Sequence, residues 1–279
     1  MENKIILITG ANSGIGKATA TALAEMGAHV VIMSRDLEKG EIARQEVVRI
    51  SRNNQVDVMQ CDLASMESIR QFAAQFIATY SRLDVLINNA GIFTEKRMET
   101  AEGFEYQIGV NHLGHFLLTN LLLNLLKKSS PSRIINVSSG AHYGGKIDFD
   151  DLHLNIKYSS WKSYSQSKLA NILFTYELAH RLSDTGVTVN CLHPGLVNTR
   201  FAYDRELEKP NWMMKLMKPF TIQPSQGAET SVYLAASPEV EVITGKYFAK
   251  RKEKASSRAS YDLVVAEKLW NLSIVLTGL

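Results

Sequence analysis

Gly10, Gly14 and Gly16 stand in the run Thr9-Gly10-Ala11-Asn12-Ser13-Gly14-Ile15-Gly16, directly behind a short apolar stretch. Residues without a Cβ let a backbone turn tightly and approach a ligand closely. A helix that starts in such a turn aims free N–H groups and the positive end of its dipole at a phosphate. The chemistry on offer is pyrophosphate binding, as for a dinucleotide. The spacing is G-x-x-x-G-x-G, not the common G-x-G-x-x-G, so its weight comes from its place between a strand and a helix. Further along, Tyr164 and Lys168 are four residues apart in a helical pattern and share one face. Such a pair is common and by itself assigns nothing. His112, His115, His142, His153 and His193 fall on different elements, and Cys61 and Cys191 form no CxxC or Cys/His pair. Neither set has metal-ligand spacing, and no metal is expected.

The elements that must position these residues alternate. Apolar runs over 4–8, 29–33, 56–60, 85–87, 133–137, 187–192 and 246–248 read as strands. Helical patterns cover 15–26, 38–51, 65–80, 104–127 and 161–182, then a stretch after Pro224 and a terminal helix over 262–272. Alternation of this kind predicts an α/β fold, a doubly wound Rossmann-type parallel sheet with helices on both faces. The strands are continuously apolar, as strands buried on both faces should be. No linker divides residues 1–279, so a single domain is expected. The segment from about 199 to 224 holds three prolines with Phe201, Trp212, Met213, Met217 and Phe220, and reads as an irregular substrate lid or as a core-packing excursion.

Composition excludes several classes. The chain has 279 residues, 45% hydrophobic and 21% charged, with a net charge of +3. That charge is too small to argue for nucleic acid. The basic cluster of Lys250, Arg251, Lys252 and Lys254, interrupted by Glu253, reads as a solvated loop. No stretch reaches the ~18 apolar residues of a membrane span. The cysteines suit a reduced, intracellular protein.

Taken with Asn88-Asn89-Ala90-Gly91, Ser139 and Tyr164-Ser165-Gln166-Ser167-Lys168, the glycine turn resembles the short-chain dehydrogenase/reductase family over nearly the whole chain. The segments 136–152, 163–182 and 268–279 are similar to its retinol-dehydrogenase-like branch. Membrane-bound members of that branch carry an apolar N-terminal anchor; the opening MENKIILITG has none, and a cytoplasmic location is expected.

The resemblance implies a catalytic set. Tyr164 would be the general acid/base. A free phenol titrates near ~10, and the Lys168 ammonium with an oxidised nicotinamide would lower that value. Lys168 would also bind ribose hydroxyls. Ser139, second of the Ser138-Ser139 pair, would hold the substrate oxygen. Asn111 would hold a water in a proton relay to the lysine. The resemblance also implies nicotinamide-cofactor contacts at Gly10, Asn12, Ser13, Gly14, Ile15 and Gly16. Asp62 with Leu63, then Asn89, Ala90 and Gly91, would border the adenosine. Pro194, Gly195, Val197 and Thr199 would follow the sixth strand, with Thr199 on the carboxamide. The stretch between Ser139 and Tyr164 is longer than in compact members and is expected at the substrate rim.

NAD-specific members carry an acid at the end of the second strand. Here that position is Ser34, followed by Arg35, whose guanidinium suits a phosphate, and by Asp36, read as a helix N-cap. NADP(H) is therefore the expected cofactor. The function expected is carbonyl/alcohol interconversion on an apolar small molecule such as retinal or retinol. A steroid, sugar or quinone-like carbonyl, or a catalytically silent NADP(H) sensor, stays open. The apolar helix near 113–126 offers one face to the sheet and another to a partner, and a homodimer or homotetramer is expected.

Overall fold

The computed structural model describes residues 1–195 and 222–279. Eight strands form one sheet in the order β3-β2-β1-β4-β5-β6-β7-β8. They are β1 (Ile5–Thr9), β2 (His29–Ser34), β3 (Val56–Gln60), β4 (Val85–Asn88), β5 (Ser132–Val137), β6 (Val187–Leu192), β7 (Lys246–Ala249) and β8 (Lys252–Lys254). The first seven run parallel, and β8 returns antiparallel. The order reverses at β1, which pairs β2 on one side and β4 on the other. The crevice outside the carboxyl ends of β1 and β4 is thus the topological switch point, where such sheets bind ligands.

Helices cover both faces. Against one lie α1 (Gly14–Glu25), α2 (Leu37–Ser51) and α7 (Pro224–Ala236), over a core that includes Ile6, Ile8, Leu23, Val30, Ile32 and Leu234. Against the other lie α3 (Met66–Thr79), α5 (Gly114–Lys128) and α6 (Ser160–Arg181). That core runs through Leu7, Phe72, Phe76, Phe116, Leu122 and Phe174. The terminal helix α8 (Leu263–Thr277) lies outside it: Trp270 meets Phe116 edge-on at 4.9 Å between ring centres, and Arg181 sits over the indole. Among the described residues no helix is long and apolar enough to cross a membrane.

Three features differ from the sequence expectation. The single helix over 104–127 is broken into one turn, α4 (Tyr106–Ile108), a π turn (Gly109–Leu113) and α5. The apolar pattern continues through the break, so periodicity could not reveal it. The basic cluster is a hairpin, not a loop. Lys250 and Arg251 take φ of +52° and +59°, and the pair turns β7 directly into β8. Nothing in a Lys-Arg dipeptide announces such a turn. The resulting edge strand is charged and exposed, which discourages edge-to-edge pairing. Third, α8 packs on α6 and meets α5 at Phe116, a docking that the sequence did not indicate. The lid expected at about 199–224 falls mostly outside the described residues; its last residue, Pro224, opens α7.

Candidate active site

The nucleotide end is built from β1, α1 and the loop after β4. Gly10 takes φ of +64°, and a Cβ there would stand 3.0 Å from Ala90. A Cβ on Gly16 would lie 2.6 Å from the Gly10 carbonyl oxygen. These glycines let the turn fold flat against the loop after β4 while α1 begins at Gly14, with Ser13 as its extended N-cap. Asn12, Ser13, Gly14 and Ile15 therefore ring the helix N-terminus, whose first N–H groups have no intrahelical partner. Asn89 straps the turn: its side-chain amide donates to the Thr9 carbonyl at 2.8 Å. The backbone N–H groups of Asn89 and Ala90 both donate to Thr9 Oγ1. A tight, Cβ-free cradle at a helix N-terminus fits a pyrophosphate.

At the end of β2, Ser34 is buried and its hydroxyl donates to the Asp36 carbonyl at 2.7 Å. Asp36 caps α2, accepting from the Lys39 N–H at 3.0 Å and pairing with the Lys39 ammonium. Arg35 is exposed and donates to the Tyr106 hydroxyl at 3.2 Å. Past β3, one Asp62 carboxylate oxygen accepts from the Ala64 N–H at 3.0 Å, and Leu63 is buried beneath. Gly91 is half-buried after Ala90. Pro194 is half-buried beyond β6, and Gly195 takes φ of +92° and donates to His193 Nδ1. Val197 and Thr199 lie outside the described residues.

The second cluster sits at the carboxyl end of β5, against α6. The Ser159 side chain caps α6, accepting from the Lys162 N–H. Its helical spacing then brings Lys168 Nζ over the Tyr164 ring, 5.7 Å from its centre. Ser139, just beyond β5, hydrogen-bonds the Tyr164 phenol and accepts from the Ala141 N–H. Its neighbour Ser138 points the other way, donating to the Lys168 carbonyl at 2.7 Å. Lys168 Nζ donates to the Val137 carbonyl at 3.3 Å. Asn111, in the π turn, pairs its amide with both backbone groups of Ile92 and donates to Ser167 Oγ at 3.0 Å. The four residues expected to act together are thus gathered between β4, β5, α6 and the π turn.

Burial dominates the electrostatics here. It pushes the Tyr164 phenol up to about 12 against the lowering effect of the Ser139 bond. It pulls the Lys168 ammonium down to about 8. The protein alone thus shifts the tyrosine opposite to the sequence expectation, because desolvation of a phenolate outweighs one hydroxyl bond. A cation beside Tyr164 supplies the missing stabilisation, and a nicotinamide cation fits that requirement.

Sequence reasoning missed the packing around these groups. Phe93 meets the Tyr164 ring edge-on at 5.6 Å and Trp161 lies 6.2 Å from it, forming an apolar wall. His142 Nδ1 is 2.6 Å from the Ser139 carbonyl oxygen, and its Nε2 accepts from the Ser257 N–H. Thr9 and His115 join the two ends of the site. The contacts of Phe93 with Tyr164, His142 with Ser257 and His115 with Thr9 bridge elements far apart in the chain, and no local spacing could have marked them.

Comparison with known proteins agrees with this geometry. The short chain dehydrogenase family model matches residues 4–209. Human retinol dehydrogenase 14 is 48% identical over all of this chain and 88% of its own length. Human retinol dehydrogenase 12 is 47% identical, again over 100% of this chain and 88% of its own. A solved structure from Mycobacterium paratuberculosis superposes with a TM-score of 0.81 at 38% identity, covering 99% of this chain and 94% of that one. The chain belongs to the short-chain dehydrogenase family, in its retinol-dehydrogenase-like branch, and is a nicotinamide-dependent oxidoreductase of the carbonyl/alcohol pair.

Proposed function

We propose that this chain interconverts an aldehyde or ketone and its alcohol on an apolar small molecule of the retinoid class, using NADP(H). The observation that carries the reading is the meeting of Ser139, Tyr164 and Lys168 beside the nucleotide cradle. When bound, the cofactor supplies or accepts the hydride. Ser139 holds the substrate oxygen by a hydrogen bond. Tyr164 gives that oxygen its proton in reduction and takes it back in oxidation. Lys168 holds ribose hydroxyls and favours the phenolate, and Asn111 lines the route by which protons reach the lysine. The Phe93 and Trp161 rings give an apolar wall that suits a hydrocarbon chain. The names of the similar proteins support the same substrate class. Both cysteines are free and buried, which suits a cytoplasmic enzyme.

The choice of NADP(H) rests on the end of β2. Asp36 is committed to capping α2 and to Lys39, so the acid nearest the ribose site is already engaged. Ser34 adds no charge, and exposed Arg35 offers a guanidinium to a phosphate. NADPH should exceed NADH by at least about tenfold in kcat/KM, on the order of 1.4 kcal/mol. Ser34→Asp with Arg35→Ala should reverse the order. Loss of reduced-nicotinamide absorbance against a panel of aldehydes and ketones, retinal included, tests the whole reading. Activity on sugars alone would overturn the substrate class, and equal use of NADH would overturn the cofactor choice.

A further inference from the structure

Thr9, Asn111 and His115 are all buried and touch in series. His115 Nδ1 lies 3.1 Å from the Asn111 carbonyl oxygen, and His115 Nε2 lies 2.9 Å from Thr9 Oγ1. A carbonyl only accepts, so Nδ1 carries the proton. Burial and the nearby Lys168 charge pull the imidazole down to about 4, so near neutral pH it is uncharged and Nε2 is an acceptor. The Thr9 hydroxyl must then donate to it. The Thr9 oxygen accepts in turn from the N–H groups of Asn89 and Ala90, at 2.9 and 2.8 Å. Every proton in the chain has one place.

The chain of bonds spans the site. Thr9 ends β1 directly before Gly10, and Asn89 and Ala90 follow β4. Asn111 sits in the π turn, against Ile92 and Ser167. A π turn shifts the backbone ladder by one residue, and such turns recur at functional sites. Here the imidazole of the second residue of α5 reaches back to the Asn111 carbonyl. One side chain thereby ties the turn that cradles pyrophosphate to the corner that meets Ser167, the residue before Lys168.

We propose that His115 is a positioning residue, which fixes the Asn111 corner of the site in register with the cofactor turn through the directed chain from Thr9 to His115 to Asn111. The proposal rests on the reading of Asn111, Tyr164 and Lys168 as proton-handling groups. Among the described residues, the titratable groups that bear on His115 are Lys168 on α6 and His112 in the π turn.

The test uses His115→Phe, His115→Gln, Thr9→Val and the His115→Phe/Thr9→Val double variant of the full chain. Imidazole ¹⁵N NMR of the cofactor-free protein should show His115 as the neutral Nδ1–H tautomer between about pH 5 and pH 8. An Nε2–H tautomer would overturn the proposal. His115→Phe should weaken NADPH binding severalfold and lower kcat per NADPH-binding site by about tenfold, with substrate KM within about twofold. It should also move the alkaline limb of the pH–rate profile. His115→Gln keeps a donor and an acceptor and should recover most of the loss. Removing His115 should cost less NADPH affinity in the Thr9→Val background than in the parent, since the shared bond is already gone. Fully additive losses, or an unchanged kcat per site with an unchanged pH limb, would refute it. Tyr164→Phe is measured alongside. If that variant keeps its turnover the proton-handling reading fails, while the tautomer and the NADPH-affinity cycle still decide His115 without reference to turnover.

Discussion

At the scale of single residues, burial moves Tyr164 and Lys168 in opposite directions. Burial favours the neutral form of each, and so raises the phenol and lowers the ammonium. Reduction needs a protonated tyrosine and benefits from a charged lysine. Its rate should therefore fall as pH rises past about 8, where Lys168 loses its proton. Oxidation needs the phenolate, which the Lys168 ammonium favours, so loss of that proton should not by itself speed it. The two groups are in contact, so the inflection belongs to the pair and not to either residue. Rates in both directions across that range check the claim, and a reduction rate that is flat across it would contradict it. Tyr164→Phe should keep NADPH binding yet lose ~10²–10⁴-fold in turnover, because only the proton donor is removed. Turnover within a few-fold of the parent would take Tyr164 out of this role. The residue types and spacings behind this set were legible in the sequence, since Tyr164 and Lys168 share a helix face by simple periodicity. Which carbonyl each polar group meets was not. Ser138 turning to the Lys168 backbone, and Asn111 strapping Ile92, depend on three elements packing together.

At the scale of elements, the buried parallel strands were legible because strands covered on both faces must be apolar throughout. The edge strand β8 was not, because an exposed strand of Lys-Glu-Lys has no apolar signal. Nor was the partner of α5. An apolar helix announces that it will be covered but does not say by what. Here α8 meets it at Phe116 through Trp270, which also stacks on Phe174 of α6, and Ser273 is bonded to His112 of the π turn at 3.0 Å. Arg70 fixes the far end by donating to the Thr277 and Gly278 carbonyls. Trp270→Ala should lower the unfolding free energy by about 3 kcal/mol, the low end for a buried tryptophan. The indole N–H has no partner among the described residues, so no hydrogen bond is lost with it. Urea denaturation measures this, and a loss below about 1 kcal/mol would mean that α8 is not docked as described.

At the scale of the whole molecule, the buried imidazoles set how stability responds to acid. His112 is pushed down to about 3 and His115 to about 4, both chiefly by burial. In the unfolded chain each titrates near ~6.5. Between those values the unfolded chain binds more protons than the folded one, so acid favours unfolding. The stabilisation is complete above about pH 6.5 and is lost as pH falls toward 4, at up to about 1.4 kcal/mol per pH unit for each histidine. The carboxylates act later. Asp57 and Asp84 are held below the ordinary carboxylate value by partners such as Tyr80 and Arg82, and their share is lost only at still lower pH. Denaturation should therefore show two acid limbs, with the histidine limb first. His112→Gln can still donate to Ser273 but cannot take up a proton, so it should lower the slope of that first limb, to which His115, His142, His153 and His193 also contribute, while leaving the second in place. A slope unchanged in His112→Gln would mean that His112 does not stay neutral in the folded chain, and that the junction between the π turn and α8 is open to water.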